Sequence, residues 1–151
     1  MKFDKLLVIA GVLSFIASLL HITCIFGGPD WYRFFGAGEH MAQLAKQGST
    51  YPTFVTLIIS AILAIWGMYA LSGAGVILKL PFLKTALVLI TGVYLLRGIA
   101  GLIAPFVTTS QLIHHNSIVF WIVSSIVCSI YGLFYLLGTL KLFRTHTSLT
   151  L

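Results

Sequence analysis

The sequence predicts an all-α integral membrane fold, a bundle of four transmembrane helices, and three observations carry that expectation. The 151-residue chain is 59% hydrophobic and only 8% charged, with a mean hydropathy of +1.06. Soluble domains carry about 25% charged residues, and a single domain of this length has no interior large enough to hide so much apolar surface. Four apolar stretches are each close to the length that spans about 30 Å of hydrocarbon. Glycine and proline punctuate the chain between them.

The first stretch is Leu6–Gly27, ended by Gly27-Gly28-Pro29. Lys2 and Lys5 precede it as in a signal peptide, but it is long for such a segment and no small-x-small cleavage site follows, so it is read as a retained helix. The second is Phe54–Ser72. Tyr51-Pro52 opens it, with proline at a tolerated helix start, and Gly73-Ala74-Gly75 ends it. The third, Phe82–Ala104, lies between Pro81 and Pro105. The fourth, Ile118–Leu140, runs into Lys141 and Arg144.

Basic residues orient such a chain, because Lys and Arg accumulate on the cytoplasmic side. One side holds Lys2, Lys5, Lys79, Lys84, Lys141 and Arg144, and the other Arg33 and Lys46. Both termini are therefore expected to be cytoplasmic. The short loops fit a bacterial inner (plasma) membrane. The net charge of +6 carries no basic run, basic helix face or nucleic-acid motif, so no nucleic-acid partner is expected. Cys24 and Cys128 fall at different depths and form no CxxC, which argues against a disulfide and against thiol-disulfide chemistry.

The long connection 28–50 is the least lipid-like part. Asp30 is a candidate cap for a turn through Trp31–Phe35, where Trp31, Tyr32, Phe34 and Phe35 suggest an interfacial aromatic belt. Gly38–Gln47 suggests a short surface helix with Met41, Leu44 and Ala45 on its apolar side.

An internal repeat is also expected. Leu19-Leu20-His21 aligns with Leu95-Leu96-Arg97, each followed eight residues later by proline, and Ser60, Trp66 and Gly67 align with Ser125, Tyr131 and Gly132. The chain then consists of two tandem helical hairpins of the same orientation, related by an axis along the membrane normal.

Ionisable groups inside a span cost several kcal/mol on insertion scales and mark functional positions. His21 and Arg97 are the two deep ones. A guanidinium cannot neutralise itself, no span contains Asp or Glu, and the acids on the same side as Arg97 are Asp30 and Glu39. The expected site is an outward-facing polar pocket with His21, Tyr94 and Arg97 as floor. Asp30, Arg33, Glu39 and His40 belong to the overlying segment, with Asp30–Gln47 as lid. Gly11, Ser14, Ala17, Ser18, His21 and Cys24 form a small, polar stripe that should face protein and not lipid. Ser124, Ser125, Cys128, Ser129 and Gly132 do the same on the fourth helix, with Trp66, Tyr131 and Tyr135 as aromatic core. No His, Cys or carboxylate spacing specifies a metal site, His114 and His115 included, and no motif specifies a cofactor.

In architecture the pattern resembles several groups of small bacterial membrane proteins, the DoxX-like group among them. That resemblance implies a fold and no activity. The chain departs from the vitamin K epoxide reductase family in lacking CxxC. It departs from sterol-isomerase-like bundles in lacking acids within its spans. The leading functional expectation is binding of an amphipathic or anionic small molecule, such as a lipid, isoprenoid or quinone, by a sensor, carrier or accessory subunit. The alternatives are a membrane enzyme using His21, Glu39, His40 and Arg97 on a lipid-soluble substrate, and an oligomeric scaffold or channel subunit. Expected partners are membrane lipid, a lipid-soluble small molecule, and further copies or a larger membrane complex.

Overall fold

The computed structural model describes residues 3–107 and 118–147, the side chains of 145–147 excepted. Among the described residues there are five helices and no strand: α1 (Lys5–Phe34), α2 (Glu39–Lys46), α3 (Tyr51–Gly73), α4 (Leu83–Val107) and α5 (Ile118–Thr147). All but α2 are long and apolar enough to cross a membrane, and at most 33% of the most apolar window of any of them is buried within the chain. The rest of that surface is matched to lipid, so the protein is an all-α four-helix membrane bundle.

The four long helices run alternately up and down. α1 packs chiefly on α3 and α4 chiefly on α5, while α1 against α5 and α3 against α4 close the ring. One end of the bundle collects Lys5, Lys79, Lys84 and Lys141, and is called here the basic end. The other collects Trp31, Phe34, Phe35 and Tyr51, and is called the aromatic end.

Each helix has local reasons for its limits. Asp4 caps α1, its carboxylate accepting from the N–H groups of Leu6 (2.9 Å) and Leu7 (3.2 Å). α1 does not stop at Gly28-Pro29 as expected but bends there and resumes. Gly28 sits at φ 69°, ψ −155°, a conformation open essentially to glycine alone. Pro29 then starts the new turn, where its missing N–H costs nothing. Pro105 likewise lies within α4, which runs on to Val107. Near a helix end the ring removes one hydrogen bond, to the Gly101 carbonyl, without breaking the element.

Small residues set the closest approaches. Gly11 and Gly67 face each other across α1 and α3, where a β-carbon on either would lie 3.1 Å from the other's carbonyl oxygen. Gly67 also abuts Phe15, as Gly132 of α5 abuts Leu95 of α4. Ser18 and Ser60 exchange hydroxyl and carbonyl hydrogen bonds of 2.9 and 3.0 Å between α1 and α3. The small stripe of α1 is thus turned inward as expected, with Gly11, Ser14, Ser18 and Cys24 all buried.

The mid-bundle core is aromatic. Tyr94 stacks on Tyr135 (5.5 Å between centroids) and packs tilted or edge-on against Tyr131 (5.4 Å) and Trp66 (5.1 Å). A hydrogen-bond chain ties it together. The Tyr135 hydroxyl donates to the Trp66 carbonyl (2.9 Å), which can only accept. Its 2.8 Å contact with Ser14 must therefore be a donation from Ser14, whose oxygen is left to accept from the Tyr94 hydroxyl at 3.4 Å. The chain passes through all four long helices.

Candidate functional site

Arg97 projects from α4 toward α5. Its Nη1 donates to Ser125 Oγ (3.4 Å) and its Nη2 to Ser124 Oγ (3.2 Å), and the guanidinium carbon lies 4.9 Å from the centre of the Trp121 ring. Ser124 spends its own proton on the Trp121 carbonyl (3.3 Å), which leaves its lone pairs facing the arginine. The backbone of α4 makes the space. A β-carbon on Gly101, one turn beyond Arg97, would overlap Nη1 and Ser125 Oγ. The side chain therefore lies along its own helix toward the aromatic end, against the usual backward tilt of helical side chains. That is the direction of snorkelling toward the interface.

Two hydrogen bonds leave three of the five guanidinium N–H donors without an acceptor among the described residues. The carboxylates are committed elsewhere. Arg33 holds both acids of the aromatic end, with Nη1 to Asp30 Oδ1 at 2.7 Å and Nε and Nη2 to Glu39 at 2.6 and 2.9 Å. Gln43 Nε2 adds a donation to Glu39 at 2.5 Å. Asp4, the third and last acidic side chain, caps α1 and pairs with Lys141 (3.0 Å) at the opposite end. Arg97 is a half-buried cation on neutral partners.

The remaining expected site residues are distributed differently from a single pocket floor. Tyr94 is buried in the aromatic core, its hydroxyl directed at Ser14. His21 is half-buried, and its Nδ1 donates to the Ala17 carbonyl of its own helix at 2.8 Å. A carbonyl can only accept, so Nδ1 carries a proton. The Ser14–Tyr94 contact sets α1 and α4 in register. On that scale the His21 backbone lies about 6 Å nearer the aromatic end than that of Arg97, at roughly 1.5 Å per residue. The arginine's reach past Gly101 carries its tip up to the level of His21, although no hydrogen bond joins them.

Asp30, Arg33 and Glu39 come together as the ion-pair cluster, so Asp30 is a partner of Arg33 and not a cap. His40 is exposed beside them. Tyr32 is 2% exposed and so lies inside, not in the interfacial belt. It forms a small core with Cys24 and Ala42, flanked by Met41 and Ala45, which docks α2 against α1. An open cavity of about 480 Å3 at this end is lined by Leu20, Asp30, Trp31, Phe34 and Phe35. Both cysteines are free, and no three metal-ligating side chains converge among the described residues. His114 and His115 lie outside the described residues.

Sequence reasoning named Ser124 and Ser125 as helix-packing residues and missed that they hold Arg97. The signal was available: two adjacent serines nearly two turns into the fourth span, the one that follows the span carrying the arginine. Trp121 carried no such signal.

Fold and site together define a class, the small four-helix membrane bundle with a cationic side chain held between two of its helices. No known protein family matches the chain, and neither a curated protein nor a solved structure matches it.

Proposed function

We propose that the protein binds an amphipathic molecule with an anionic or carbonyl head, which Arg97 receives on the aromatic-end side of the bundle. The observation that carries this reading is a membrane-embedded guanidinium with three donors that find no acceptor among the described residues, while all three side-chain carboxylates are engaged elsewhere. Unused donors in hydrocarbon are costly, and a head-group oxygen is the natural acceptor. A planar fork of donors favours carboxylate, phosphate or a quinone-type carbonyl. The apolar body of the ligand lies along the lipid-facing helices. A lipid, isoprenoid or quinone has this chemistry, and a sensor, carrier or accessory subunit of a bacterial inner membrane is the role it suits. The enzyme reading takes Glu39 or His40 as base; Arg33 and Gln43 hold the Glu39 carboxylate, which leaves His40 for that role.

Packing within the two hairpins supports a repeat, but in a register other than the expected one. Gly67 on Phe15 and Gly132 on Leu95 are equivalent contacts. So are the approach of Ser60 to Ser18 and that of Ser125 to Gly98. Both pairs match α1 to α4 one helical turn away from the alignment that equates His21 with Arg97. In this register Gly101 is the counterpart of His21, and Arg97 is a feature of the second hairpin alone.

The test is to purify the protein in mild detergent and identify co-purifying molecules by mass spectrometry and absorbance, for wild type, Arg97→Ala and Arg97→Lys. Loss of a bound amphiphile in Arg97→Ala, with weaker retention in Arg97→Lys, is the expected result. An unchanged set of bound molecules, with both variants folded, would reduce Arg97 to a tie between α4 and α5.

A further inference from the structure

A second and wider opening is at the other end. A cavity of about 1700 Å3 lies between the start of α1, the α3–α4 connection and the end of α5. It exceeds the roughly 300–1000 Å3 of ordinary small-molecule sites. Its walls are apolar, with Val8, Ile77 and Leu80 among them, and Lys5, Lys79 and Lys84 stand at its edge. Asp4 also lines it but is bound to Lys141 and to the α1 backbone. Lys5, Lys79 and Lys84 have no carboxylate partner among the described residues. Lys84 lies over the Phe143 ring at 5.1 Å.

The connection that forms one wall is held in place. Ser72, 2% exposed, donates to the Leu78 carbonyl (2.8 Å) and accepts from the Leu80 N–H (2.9 Å). With its inner side pinned, the segment presents Leu78 and Phe82 outward, at 90% and 84% exposure. Phe82 does so from φ 52°, a left-handed conformation in which a bulky residue is a rare exception. Apolar tips alternating with Lys79 and Lys84 suit the boundary between head groups and acyl chains.

We propose that this basic-end cavity is a binding site for an anionic phospholipid, with a phosphate between Lys5, Lys79 and Lys84 and acyl chain along the apolar wall. Three cations without a carboxylate partner among the described residues, set around an apolar hollow at a membrane surface, are complementary to that one class of amphiphile. The site is separate from Arg97 and stands or falls independently of it.

The experiment is native mass spectrometry of the protein released from nanodiscs of equal phosphatidylglycerol and phosphatidylcholine with identical chains. Wild type is expected to retain phosphatidylglycerol preferentially. Lys79→Ser/Lys84→Ser is expected to reduce that preference by up to about twenty-fivefold, at roughly fivefold per lysine. Lys79→Arg/Lys84→Arg should keep it. Should the serine pair fail to fold, salt titration of wild type decides: the preference must fall as salt rises. Equal retention of both lipids, or a preference indifferent to the serine pair or to salt, overturns the proposal. So does displacement of the lipid by millimolar inorganic phosphate, which would make the occupant a soluble anion.

Discussion

The Ser14–Tyr135 hydrogen bond offers a quantitative test of the core. Ser14→Ala removes the 2.8 Å bond to Tyr135 and the acceptor of the Tyr94 hydroxyl at 3.4 Å. Tyr135→Phe removes the same 2.8 Å bond and the 2.9 Å donation to the Trp66 carbonyl. Hydrogen bonds between membrane helices average about 0.6 kcal/mol and reach about 1.7. Each single variant should therefore lose about 1–3 kcal/mol, the upper part reflecting hydroxyls left buried without partners. The shared bond is the shortest of the three and is lost in both, so the double variant should be about 1 kcal/mol more stable than additivity gives. Reversible unfolding in mixed detergent micelles measures all four species. Independent sites add to within about 0.3–0.5 kcal/mol. A double variant inside that margin would refute the inferred chain of donors, whatever the single values.

Two glycine variants separate packing from site. Gly67→Ala sets a β-carbon against the Gly11 carbonyl and the Phe15 ring; backbone cannot yield as a side chain can, so a loss of about 1–3 kcal/mol is expected in the same unfolding assay. Gly101→Ala overlaps instead the tip of Arg97 and a serine hydroxyl, which can rotate away. Its unfolding midpoint should hardly move, while the amphiphile retained by wild type falls as in Arg97→Ala; a large stability loss with full retention would contradict the site.

The bundle was legible because hydropathy alone decides which segments lie in lipid. Three of the four expected spans fall within a long helix, and the third does so from Leu83 on, Phe82 preceding α4; the helices overrun several of the expected ends. Two of those overruns have a common cause. Gly28-Pro29 and Pro105 read as stops, but a helix that has packing on both sides of such a position bends or loses one bond and continues. Tyr94 illustrates a harder limit. Its spacing from Arg97 places both on one face of α4, yet the tyrosine turns into the core to meet Ser14 while the arginine stretches the other way past Gly101. Helical spacing gives a shared face and not a shared direction. The pairing of Asp30 and Glu39 with Arg33 was equally hidden, because it depends on how α2 folds back after Gly36 and Gly38, both at positive φ. The basic-end cavity has no sequence signature at all. It follows from helix ends that splay, whereas its lysines read only as a topology signal.

The hydroxyl chain at mid-bundle has a sense. Protons on it point from Tyr94 through Ser14 to Tyr135, and the last acceptor is a peptide carbonyl, which has no proton of its own to hand on. A relay of that kind can be polarised but not cycled. Together with the packed rings of Tyr94, Tyr131 and Tyr135 it ties the middle of the bundle into one hydrogen-bonded aromatic layer, whose polar order is set by a carbonyl of α3.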